Sequence, residues 1–183
     1  MKSVCKMRKV SGRFPVTVNY AETVEEMVKK CKFSRANPNI NQYNFPHSRR
    51  DAFRKTTVKL IRLNLFYHDG CYTSEHVRYV ISKLEKMGFR PVNVSELLAF
   101  YKQHAKEYAK NFKTIPVVGF DPAHGSLDGN PYGIYFVANK LQELCLMWGV
   151  FRTYTEYLIA VVRKNGRCIL DLVNECSDLG DDD

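Results

Sequence analysis

LQELCLMWGVFRTYTEYLIAVVRK, residues 141–164, falls into three parts with different physical signatures. Leu144, Leu146 and Trp148 alternate with Cys145 and Met147. This period of two turns one set of side chains to a core and the other set away from it. Residues 157–162, Tyr-Leu-Ile-Ala-Val-Val, are an unbroken apolar run closed by Arg163-Lys164-Asn165-Gly166, which predicts a strand buried on both faces. Between them, residues 149–156 mix glycine, aromatic, guanidinium and hydroxyl side chains with no clear period. Core strands flanking a chemically mixed patch suit a scaffold that displays a binding surface. The same pattern also describes an ordinary hairpin with a polar rim.

Outward from this stretch, the signals alternate between strand and capped helix. Phe14–Tyr20 alternates and is β-branched, which predicts a short strand, at an edge because of Pro15. Thr23 and Glu26 have capping-box spacing, and the helix after them carries Val24, Met27, Val28 and Cys31 on one stripe. Residues 34–48, rich in Asn and Pro, read as a loop. Residues 56–67 read as a long strand able to pair with 157–163; its apolar positions Val58, Leu60 and Leu63 share a face only with a bulge near Ile61 and Arg62. Ser74 or Thr73 caps a helix with Val77, Val80, Ile81, Leu84 and Met87 at i, i+3, i+4, i+7 spacing, and Gly88 stands where a left-handed cap ends it. Asn93 and Glu96 begin a further helix carrying Leu97, Leu98, Tyr101 and Ala105, which frays into the charged residues 102–113. Residues 115–120, 132–139 and 168–173 read as strands. This order predicts an α+β fold, with helices against an antiparallel or mixed sheet. The division expected is a basic N-terminal extension, 1–55, packed on a main domain, 56–183.

Composition narrows the function. No segment holds the roughly 20 consecutive apolar residues of a membrane-spanning helix. The N-terminal MKSVCKMRKVSGRF lacks the apolar stretch of a signal peptide, which points to a cytoplasmic or virion-associated protein. The 6 cysteines form no C-x-x-C pair and read as reduced, partly buried hydrophobes. Zinc spacing is absent, and so are nucleophile elbows, phosphate loops and dinucleotide fingerprints. Asp121, His124, Asp128 and Asn130 share one loop, but turn chemistry accounts for residues of these types, so neither catalytic residue nor cofactor nor metal is expected. The net charge is +9, and residues 29–62 hold 10 basic residues against the single acid Asp51. That run suggests either a solvated face or a nucleic-acid surface.

The run Lys86-Met-Gly-Phe-Arg-Pro-Val-Asn-Val-Ser-Glu-Leu-Leu98, then Ile115-Pro-Val-Val-Gly119, then Leu144-x-Leu-x-Trp148 and Tyr157–Arg163, resembles the C-type-lectin-fold variable proteins of microbial and viral diversity-generating retroelements. The resemblance covers residues 56–164. It implies two helices flanking a twisted mixed or antiparallel sheet whose first and last strands pair. It further implies a non-enzymatic ligand-binding protein whose surface near the C-terminus is varied by adenine-directed mutagenesis. The positions carried over are Tyr135, Val137, Asn139, Cys145, Gly149, Val150, Arg152, Thr153 and Thr155, with Met147 beside them, and the partner is a protein or other macromolecule. Leu144, Leu146, Trp148 and Leu158–Val162 are the unvarying scaffold in this reading. The alternative is a basic nucleic-acid-binding protein acting through residues 29–62.

Overall fold

A computed structural model of the chain describes residues 5–10, 12–46, 53–65, 74–112, 115–125, 131–137, 142–148 and 156–164. In chain order the elements are β1 (Cys5–Lys9), β2 (Phe14–Asn19), α1 (Val24–Cys31), β3 (Arg35–Ala36), β4 (Phe53–Leu65), α2 (Ser74–Lys86), β5 (Phe89–Pro91), α3 (Val94–Phe112), β6 (Val117–Gly125), β7 (Pro131–Val137), β8 (Glu143–Trp148) and β9 (Glu156–Arg163). The strands form one curled mixed sheet in the order β1-β4-β9-β6-β7-β8-β3, with β2 also on β4 and β5 also on β9. Pairing is antiparallel except for β6 with β9 and β3 with β8.

Alternation explains why both sides of this sheet are covered. In β4, Val58 and Leu60 face one core while Ile61 and Leu63 face another. In β9, Leu158, Ala160 and Val162 join the first core, and Tyr157, Ile159 and Val161 join the second. α1 and α3 close the first core; α2, through Val77, Val80 and Leu84, closes the second. The class is therefore α+β as expected, with the 3 helices that the capping and periodicity signals mark; the stripe Val24, Met27 and Cys31 packs α1 into the same core as α3. The expected bulge in β4 is absent: its register with β9 runs unbroken from Lys59–Val161 to Asn64–Glu156. Both faces are apolar there, so strict alternation needs no correction. The break lies instead in the neighbouring chain, where β1 and β2 each pair with one part of β4 and residues 10–13 intervene.

The N-terminal segment is bound up with the sheet. The expected boundary at residue 55 falls inside β4, and β1 and β2 lie along the outer side of that strand. Beyond α1, the stretch read as a loop runs to β3 on the far flank of the sheet, with Asn37 N–H donating to Leu144 O at 3.0 Å. Ile40 and Phe45 then plug the first core at 3% and 1% exposure. Asn side chains support the turns between them, Asn37 accepting from Asn39 N–H and Asn41 from Asn44 N–H, each at 2.9 Å. The outer edge of β2 is occupied by a side chain: the Gln103 amide donates to Thr17 O at 2.8 Å and accepts from Thr17 N–H at 3.1 Å. His104 reaches Pro15 O at 2.8 Å beside the Phe14 and Phe100 rings.

Residues 86–98 are a structural joint. Gly88 adopts φ 76°, the left-handed geometry that ends α2 at little cost for glycine. The link expected next is β5, whose Phe89 enters the second core while Pro91 pairs with Val161. Arg90 projects a fork onto Glu96, 2.8 and 2.7 Å from its two oxygens. Glu96 also accepts from Asn93 N–H at 3.0 Å, and the Asn93 side chain accepts from Glu96 N–H at 2.8 Å, completing a capping box at the start of α3. Far from fraying after Lys102, α3 continues to Phe112, since Tyr108 is fully buried against Phe136 two turns beyond Tyr101. Gly119 on β6 is required for closeness: a Cβ there lies 2.9 Å from Val92 O, so any side chain pushes β6 off this joint.

Glu96 is wholly buried, whereas Glu22 is half-buried and pairs at 2.8 Å with Lys30, an exposed partner. Glu96→Ala therefore strands the Arg90 guanidinium and costs about 3–5 kcal/mol, against about 0–1 kcal/mol for Glu22→Ala, in urea unfolding.

Candidate functional site

β7 and β8 set out the expected display face. Their register pairs Ile134 with Leu146, Tyr135 with Cys145, Phe136 with Leu144 and Gly133 with Met147. Ile134, Phe136 and Leu144 are core residues, and Leu146 packs against the same core while half-buried. Tyr135 and Cys145, one position along in each strand, turn to the opposite face of the sheet. The sequence-level alternation of 144–148 is thus a real separation of sides over Leu144, Cys145 and Leu146. Tyr135 rests against the second core, and both it and Cys145 are half-buried.

The structure brings Tyr135 and Cys145 together and corrects Val137. Val137 is 5% exposed, where a position on an open ligand face has to be accessible. It sits opposite Glu143 at the end of the β7–β8 ladder. The backbone of Met147 belongs to β8, but its side chain and that of Trp148 lie outside the described residues, as do Asn139, Gly149, Val150, Arg152, Thr153 and Thr155 entirely. The expected strand at 168–173 also lies outside them. So do Asp128 and Asn130 and the side chains of Asp121 and His124, whose backbones belong to β6 rather than to a loop.

The chemistry of the visible pair is that of a shielded thiol. Burial pushes the Cys145 thiol up from its ordinary value, the Tyr135 side-chain hydrogen bond opposes the shift, and Glu143 adds to it. Cys31, in the first core, is pushed by burial up to about 12. Tyr20 and Tyr101 are also raised, in each case chiefly by burial. Among the described residues, no group of three or more His, Cys, Asp and Glu side chains is arranged to hold a metal ion.

Among the described residues, the basic side chains of the run 29–62 are divided between the two faces of the sheet. Lys29, Lys30 and Lys32 belong to α1 and its cap on the first face. Lys59 instead lies over the Phe89 ring of the second core, 5.4 Å from its centroid. Arg62 is engaged with Glu156 at 3.1 Å, and Arg49 and Arg50 lie outside the described residues. No described helix is long and apolar enough to cross a membrane. Compared with family models, curated proteins and solved structures, the chain finds no match.

Because raised thiol pKa values leave little thiolate at neutral pH, both thiols resist alkylation there. Iodoacetamide labelling of the folded protein, read peptide by peptide, leaves Cys31 unmodified throughout. Cys145 becomes labelled only as the pH is raised past the range of an ordinary thiol.

Proposed function

We propose that this chain is a ligand-binding display protein of C-type-lectin-like fold, with a face near its C-terminal end that is diversified by a retroelement and recognises a macromolecular partner. The observation that carries the reading is the division of labour in β7 and β8. Ile134, Phe136 and Leu144 hold the core, while Tyr135 and Cys145 meet on the other side and lead into residues 149–155. Variation is tolerated where side chains contribute little to stability, and such a split supplies positions of that kind beside a fixed scaffold. The topology supports it too: β4, the opening strand of the resembling region, pairs antiparallel with β9, and two helices intervene before the β6-β7-β8 ladder. Aromatic, hydroxyl and guanidinium groups, which recur in adaptable binding surfaces, fill 149–155. The face comprises Tyr135, Cys145, Met147, Gly149, Val150, Arg152, Thr153 and Thr155, with Asn139 at its margin.

Thermal and urea melts of single variants test the separation. Leu144→Ala removes a side chain of 1% exposure and costs about 2–5 kcal/mol, whereas Arg152→Ser, Thr153→Asn and Thr155→Ser each change stability by about 0.5 kcal/mol or less. If Arg152 or Thr155 is as sensitive as Leu144, residues 149–155 are core and the display reading fails. The retroelement part has its own test in the genome of origin: an adenine-rich near-copy of the codons for this region beside a reverse transcriptase gene. Its absence from a complete genome removes diversification while leaving ligand binding to be judged by the melts.

A further inference from the structure

β4 is longer than the strands beside it, and its first half keeps one edge open. β9 pairs with residues 59–64, while β2 pairs with 53–58 along the opposite side. Which backbone groups this exposes follows from the parity of an antiparallel ladder. Pro15 O and the N–H and O of Thr17 are engaged outward, by His104 and Gln103 of α3. The residues opposite them, Thr57 and Lys55, therefore also turn their polar groups away from the β2–β4 seam. Leu60 O, of the other parity, accepts from Val10 N–H on the β1 side. Arg54, Thr56 and Val58 thus bond to β2, while Phe53, Lys55 and Thr57 aim three N–H and three C=O groups at the side that β9 does not reach. Among the described residues these groups have no hydrogen-bond partner. The ribbon's other edge is closed by two side chains of α3; this one is left bare.

We infer that residues 53–57 are a docking edge for an extended, acidic segment of a partner protein, which adds a strand to the sheet there. The site is distinct from the β7–β8 face and does not rest on its function. Strand addition draws its affinity from main-chain hydrogen bonds and its selectivity from side chains at alternate positions. Arg54 and Lys55 lie on opposite faces of the sheet, so each face of an incoming strand meets one cation. Neither is in an ion pair among the described residues, and opposite them on β2 stand the uncharged Val18 and Thr17. Adjacent acidic residues on the partner strand match this pair. A cation on a bare edge also guards it against self-pairing. It does so here, since the antiparallel register that overlaps all of 53–57 sets Lys55 opposite its own copy. That guard accounts for Lys55 but not for Phe53 beside it, whose ring is 71% exposed and offers an apolar contact. Nor does it account for the space alongside, a cavity of about 300 Å³ that this edge shares with Phe89, Arg163 and Lys164. Side chains of an added strand have room there.

Amide hydrogen exchange of the whole chain, read residue by residue by NMR, tests this with the probe peptide acetyl-Thr-Val-Glu-Glu-Val-Thr-amide and its counterpart with lysine in place of glutamate. In the free protein Arg54, Thr56 and Val58 exchange slowly, and Phe53, Lys55 and Thr57 rapidly. A saturating amount of the glutamate peptide slows the second set by about tenfold or more and leaves the first unchanged; the lysine peptide changes neither. Arg54→Gln/Lys55→Gln weakens binding of the glutamate peptide by about tenfold or more. Lys29→Gln/Lys106→Gln, which removes equal charge from exposed helical sites, leaves it within about twofold. Equal losses in the two double variants mean diffuse attraction to a basic protein and overturn the site. So does a lack of protection at millimolar glutamate peptide, or equal protection by both peptides. Slow exchange of Phe53, Lys55 and Thr57 before any peptide is added also overturns it. In that case another segment of this chain fills the edge or, if the protection grows with protein concentration, a second copy does.

Discussion

The pairing of β4 with β9 is the constraint from which the remaining architecture follows. Leu60 stands opposite Ala160, and Ile61 opposite Ile159, so the two strands contribute side by side to both cores. A strand pair apolar on both faces is stable only when each face is covered, and each additional element meets that demand. α2 covers one side; α3, and α1 beneath it, cover the other. The second flank of β9 is shared: β6 pairs beside Leu158 and Ile159, and β5 beside Val161, Val162 and Arg163. Ala160 is small where Leu60 is large, and its carbonyl accepts from Val92 N–H at 3.0 Å, drawing the turn before α3 onto the sheet.

That turn is where electrostatics enters an otherwise apolar design. Glu96 has no access to water, and every partner it has comes from the short run between α2 and α3. The geometry satisfies both carboxylate oxygens while aligning the first turn of α3 with β5. The Gly-Phe-Arg-Pro run and the Asn-Val-Ser-Glu run thus form one device, in which the strand supplies the cation and the cap supplies the backbone donors.

Where neighbouring residues cooperate within a few positions, the sequence was readable. The capping boxes at Thr23 and Asn93, the stripe Val77, Val80 and Leu84, and the apolar run 157–162 all predict elements found here. Misreadings arose where a residue's role depends on distant chain. The bulge expected in β4 is absent because the strand is apolar on both faces and each face meets its own core. Ile40 and Phe45 have no periodic neighbours, yet each is buried by elements lying elsewhere in the sequence. Tyr101, Ala105, Tyr108 and Phe112 continue the stripe of α3 at helical spacing, but the charged residues between them obscure it, and its burial beneath β7 depends on Phe136, distant in the chain. At the β7–β8 face, period two was enough to pair Cys145 away from Leu144 and Leu146. It was not enough to reveal that Val137, on the same side as Tyr135, is closed off from solvent.

The position of β9 has a consequence for how the protein comes into being. It is the last described strand to emerge during synthesis, yet it lies inside the sheet between β4 and β6, and Ala160 meets a partner about 100 residues earlier in the chain. Until it arrives, β4 with its N-terminal partners and the β6-β7-β8 ladder are two half-sheets, each with an open apolar flank. Closing so long a loop is slow compared with forming a helix or a hairpin. During that wait, the half-sheets are the species most exposed to pairing with other copies of themselves. The rate at which Tyr157–Val162 finds its slot therefore sets the yield of native protein, and substitutions that loosen this strand cost solubility during biogenesis before they cost stability in the finished molecule.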